Sequence, residues 1–201
     1  MLRMLREIMM SVSMDDTLSF ATPEALRVWL AKNSRRSAGI WLRIFKKDSG
    51  TPSISYAEAL EQALCYGWID GQKQKGDAAS WLQRLTPRRP DSGWSKINTQ
   101  RAERLIKSGA MTAAGLREIE AAKSDGRWKA AYDSARNAQP PKDFLQELKK
   151  DPKAEAFFKS LDRRNVYAIV YRLQTARRPE TRAKRLRDFV AMLAKHEKLH
   201  P

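Results

Sequence analysis

The chain has 201 residues, 42% of them hydrophobic and 31% charged, which excludes general disorder and suffices for one good core or two small ones. Its 39 Lys and Arg stand against 23 Asp and Glu, a net charge of +16 that draws phosphates, acidic lipid headgroups or an acidic protein at low salt. A single cysteine, Cys65, excludes an intrachain disulfide and a multi-cysteine metal site, so a reducing cytoplasm fits.

The opening MLRMLREIMMSVSMDD resembles an export signal only at first sight, because Arg3, Arg6 and Glu7 interrupt it and no small-x-small cleavage site follows. Residues 1–18 are expected to form a tail, with Met14 an alternative start, and no later stretch approaches the roughly 18 apolar residues of a spanning helix. Thr22 as N-cap, Pro23 at the first position and Leu26, Trp29 and Leu30 at helical spacing predict a first helix. GIWLRIFKK then alternates, with Ile40, Leu42 and Ile44 on one face of a strand and Trp41, Arg43 and Phe45 on the other. Ser55 and Glu58 have the spacing of a capping box, Leu60 and Leu64 share a face, and Gly67 ends this second helix.

Residues 68–75 and 80–87 predict two strands of a hairpin joined by a short polar connector, with Trp81 and Leu85 facing one way and Leu82, Arg84 and Thr86 the other. Helices follow over 95–108 and 112–125, closing an α+β domain over 19–130 with a small antiparallel sheet and flanking helices. YDSARNAQPPKD gathers Pro, Asn, Ser and Gln and reads as a linker over 131–142. Residues 143–201 read as an all-α C-terminal module, with apolar stripes at Val166, Ile169, Val170 and Leu173 and at Ala183, Leu186, Val190 and Leu193.

Three strings carry a family resemblance: LCYGWIDGQKQ, LQRLTPRRPDSGWSKIN and YRLQTARRPETRAKRLRDFVAML. Together they make the chain similar, from about Ser19 to Pro201, to the YdeI/OmpD-associated, or bacteriocin-protection, proteins of bacteria. The resemblance implies a role in stress tolerance and resistance to antimicrobial peptides, and an association with an outer-membrane porin. It implies no particular reaction.

Two groups of residues stand out as binding candidates. The first gathers Trp68, Asp70, Gln72 and Lys73 with Arg84, Thr86, Arg88, Arg89, Trp94 and Lys96. Guanidinium forks bind phosphate or carboxylate, a helix N-terminus near Ser95 offers free N–H groups, and indoles stack. On this reading Asp70 comes near Arg84 across the hairpin and orients the arginines toward an anionic ligand or an acidic partner. The bland alternative makes Trp68 and Trp94 core and the arginines a polar loop. The second group, Arg177, Arg178, Arg182, Lys184 and Arg185, is either a solvated helix face or a phosphate footprint, and with the hairpin as a wing it supports nucleic-acid binding instead.

No catalytic signature is legible: there is no G-x-G-x-x-G, Walker A loop, H-E-x-x-H or G-x-S-x-G, and no histidine precedes His196. No cofactor or metal site is expected. His196 and His200 are four apart, but no further ligand accompanies them other than Glu197. Cys65, late in a helix and beside Leu64, reads as a buried structural thiol.

Overall fold

A computed structural model describes residues 17–201; the questions of the tail and of the start at Met14 fall on residues outside those described, except at Thr17 and Leu18. Contacts divide the chain into two compact units, residues to Ser92 with Arg101–Ala121, and Gly93–Gln100 with Ala122–Pro201. In chain order the elements are β1 (Thr17–Ser19), α1 (Pro23–Asn33), β2 (Ile40–Phe45), α2 (Tyr56–Cys65), β3 (Trp68–Lys75), β4 (Ser80–Pro87), α3 (Lys96–Lys107), α4 (Ala113–Ser124), α5 (Lys142–Leu148), α6 (Pro152–Ser160), α7 (Arg163–Gln174) and α8 (Pro179–Ala194). The class is α+β, as the sequence predicts.

In the first unit four strands form one sheet in the order β1-β2-β4-β3. β2, β4 and β3 are antiparallel neighbours, and β1 lies parallel to β2. β1 has only three residues, too few for a readable alternation, and it takes Thr17 and Leu18 out of the expected tail. The helix signals act as expected: Thr22 Oγ1 accepts from the Ala25 N–H at 3.3 Å, and Ser55 and Glu58 close a full capping box. Leu26 and Leu30 of α1, Ala59 and Ala63 of α2, Ile40, Leu42 and Ile44 of β2, and Trp68 and Leu85 pack into one core. Gly67 turns the chain from α2 into β3 at φ +75°, where a Cβ would meet the Glu118 side chain at 2.9 Å and the Ala114 carbonyl at 3.2 Å. Cys65 is buried beside it, and that burial raises its thiol pKa.

The second unit has its own core of Phe144, Leu148, Ala154, Phe158, Ile169, Leu173, Phe189 and Leu193. In α8 the buried line runs through Phe189 and Leu193, while Ala183 of the expected stripe is exposed. Residues 131–142, expected as a linker, are tied down within this unit. Tyr132 makes a parallel bridge with Ser95, and the Asp133 carboxylate accepts from Lys96 Nζ at 2.9 Å and from Gln174 Nε2 at 2.8 Å. His196 and His200 lie beyond the end of α8, so they share no helix face; His196 stacks on Phe157 and the His200 backbone is clasped by Asn165.

Candidate functional site

Cross-strand partners in a sheet project from the same face, so the register sorts the hairpin side chains. Trp68 pairs with Pro87, Asp70 with Leu85, and Ile40 also with Leu85, which places Trp68 and Asp70 on the face packed against the helices. Trp68 is 1% exposed and its indole N–H donates to the Ser34 carbonyl at 3.2 Å, so it is core. Asp70 Oδ2 accepts from the Tyr56 hydroxyl at 2.6 Å. Burial first, and then this bond to a carboxylate, raise the Tyr56 pKa above its ordinary value.

The register slips between Asp70 and Lys73, a bulge that doubles the chain against one residue of β4. Buried Gln83 holds the bulge by donating its amide to the Gly71 carbonyl at 3.0 Å and the Gln72 carbonyl at 3.2 Å. Gln72 is therefore exposed by its side chain and engaged by its backbone. Past the bulge, Lys73 Nζ lies 4.3 Å from the centre of the Trp81 ring, and Trp81 is in turn 6.1 Å from Tyr56.

Arg84 lies on the opposite face. It pairs with Trp41, and its guanidinium carbon sits 5.7 Å from the Trp41 ring centre. Asp70 and Arg84 are thus on opposite sides of the sheet, and the expected carboxylate–guanidinium contact is replaced by the Tyr56 bond. With Arg84 on this second face are Thr86, Ile69, Leu82 and Arg43, the last held by Asp77 and Ser80. Arg84 Nη1 is buried and has no hydrogen-bond partner among the described residues. Glycines make the room: a Cβ at Gly39 would lie 3.0 Å from Arg84 Nη2, and one at Gly71 would lie 3.6 Å from Arg84 Cβ and Cγ.

The proline-rich loop differs from the expected polar surface. Arg88 is 7% exposed and its N–H donates to the Gly67 carbonyl at 3.0 Å, because the loop folds back over the end of α2. Arg89 remains exposed, its N–H donating to Ser92 Oγ at 3.0 Å. In the second unit Trp94 is buried against Trp128, with ring centres 4.9 Å apart, and Lys96 is paired with Asp133. Of the ten first-group residues, Arg84 and Thr86 share the second sheet face. Trp41 completes that group and Tyr56 the other face; the alternation of β2 already signalled Trp41, whereas nothing in the sequence links Tyr56 to Asp70.

The second cationic group is largely engaged internally. Arg182 forks onto both oxygens of Asp143, Lys184 pairs with Asp188 at 2.9 Å, and Arg185 donates to the Arg172 carbonyl at 2.6 Å. Arg178 is the N-terminal flank of α8 and exposed, as is Arg177, which acts electrostatically on Asp125. No cluster of three His, Cys, Asp or Glu able to hold a metal forms among the described residues.

An α+β sheet domain followed by a helical module is thus the class that the fold and these surfaces define. The chain belongs to the family of a domain of unknown function, DUF8412, whose model matches residues 18–118, and it carries over residues 137–196 a match to the family described as bacteriocin-protection, YdeI or OmpD-associated. The last of the three resemblance strings falls wholly in the YdeI/OmpD match, and the first two fall in the DUF8412 match. Comparison with curated proteins and with solved structures gave no match. Among the described residues no helix is long and apolar enough to cross a membrane.

Proposed function

We propose that the protein acts in bacterial stress tolerance, from the cytoplasm, by binding a small anionic ligand at Arg84 on the second face of its sheet. The observation that carries this reading is the guanidinium itself: one donor is buried without a partner among the described residues, and an aromatic ring and two glycines shape the space around it. A buried donor left unmade costs about 1–3 kcal/mol, and a carboxylate or phosphate oxygen recovers that cost with a charge-assisted bond. Thr86, two residues along the same face, supplies a hydroxyl for the same ligand. The family description supports the tolerance role, and its mention of OmpD supports a protein partner besides the small ligand.

A thermal-shift panel tests this reading, with AMP, citrate and a muramyl dipeptide as phosphate, carboxylate and cell-wall probes. A rise in melting temperature with at least one probe, absent in Arg84→Ala, is the expected result. Equal shifts in both proteins would move the site elsewhere.

A further inference from the structure

The second unit holds 21 Lys and Arg against 10 Asp and Glu, so it carries +11 of the chain's +16. That excess has a definite aromatic neighbour. Tyr132 meets Tyr171 edge to face with ring centres 4.9 Å apart, and Tyr167 lies 5.9 Å from Tyr171. On α7 the residues Arg164, Tyr167 and Tyr171 follow at three- and four-residue intervals and so share one helix face. Tyr171 is 37% exposed, unusual for a ring that already has two aromatic neighbours, and Arg163 and Arg164 are exposed at the start of the same helix.

The ridge is built rigidly. The Asp133 N–H donates to Gln174 Oε1 at 3.1 Å while Gln174 Nε2 donates back to Asp133, a two-way clasp that fixes the Tyr132 segment on α7. Tyr167 donates to the Asp133 carbonyl at 3.4 Å, and Arg163 donates to the carbonyls of Ala135 and Arg136. Lys96, on Asp133, keeps more than half of its side chain in solvent.

We infer that this tyrosine ridge is a binding platform for single-stranded nucleic acid, with bases stacking on Tyr171 and its neighbours and phosphates following the cations of α7. A membrane surface calls for a broad apolar face of Trp, Phe and Leu, which three tyrosines do not form, whereas nucleic acid uses ordered rings and neighbouring cations together. Base stacking on an aromatic platform uses both features and tolerates any sequence. The site differs from the basic block of α8, whose cations are mostly paired within the protein, and it is independent of Arg84.

The test is fluorescence anisotropy with the full chain and three labelled probes: a 20-nucleotide polyadenylate, an abasic chain of equal length, and vesicles of one-third phosphatidylserine. Tighter binding to polyadenylate than to the abasic chain is expected, with a loss of about tenfold in Tyr171→Ala and near-normal binding in Tyr171→Phe. Arg164→Ala, an exposed change that leaves the ridge intact, weakens both polynucleotide chains alike. Equal affinity for polyadenylate and the abasic chain, indifference to Tyr171→Ala with the melting temperature unchanged, binding to vesicles alone, or no binding to any probe would each overturn it.

Discussion

Tyr56 and Asp70, on α2 and β3, share a single hydrogen bond of 2.6 Å in which the phenol donates. The bond ties the first turn of the second helix to the strand just before the bulge, so the segment 68–70 is fixed at both ends. Its tryptophan enters the core and its aspartate accepts from a helix.

The raised Tyr56 pKa has a consequence for alkaline stability. A tyrosine in an unfolded chain ionises near pH 10, and burial followed by the Asp70 bond moves the folded value higher. A raised folded value means that the contribution is complete below about pH 10 and is lost as pH climbs toward the folded value. Tyr56→Phe should therefore be less stable than the natural chain at pH 8, with the gap narrower at pH 11 than at pH 8. Melting temperatures at the two pH values measure it; a gap that stays constant would show that the bond carries no such linkage.

Trp68 and Asp70 separate by magnitude. Trp68→Ala leaves a large cavity between α1, α2 and the sheet and should cost about 3–5 kcal/mol in urea unfolding. Asp70→Ala leaves only the Tyr56 hydroxyl without its acceptor and should cost about 1–3 kcal/mol. Comparable losses in the two variants would contradict the division between core and bond.

Gly39 makes the third case. It adopts φ +129°, and a methyl group there would lie 2.7 Å from the Leu85 carbonyl, 2.7 Å from Thr86 Cγ2 and 3.0 Å from Arg84 Nη2. Gly39→Ala should lower stability by about 1–3 kcal/mol and weaken anion binding at the same time, since it displaces the guanidinium. Unchanged stability in the same unfolding measurement would mean that the strand start relaxes freely.

Much of the architecture was legible because its signals are local. The Thr22 and Ser55 caps, the proline at position 23 and the turn residues between 75 and 80 each fix an element end without reference to the rest of the chain. The pairing parity of the hairpin was not legible. Asp70 stands opposite Leu85, one position from Arg84, and in a sheet one position is the difference between two faces. The short β1 leaves no local signal because its pairing is parallel and supplied by a distant neighbour, and the burial of Arg88 leaves none because a proline-flanked loop can fold inward when a carbonyl such as that of Gly67 awaits its N–H.

The most direct test of the central claim is calorimetric titration of AMP and of citrate into the natural chain, Arg84→Ala and Arg89→Ala, the last removing an exposed cation of the neighbouring loop. Binding by the natural chain and Arg89→Ala to one of the two probes, with at least a tenfold loss in Arg84→Ala, is what an anion site at Arg84 predicts. Undiminished affinity in Arg84→Ala, or loss only in Arg89→Ala, would contradict it.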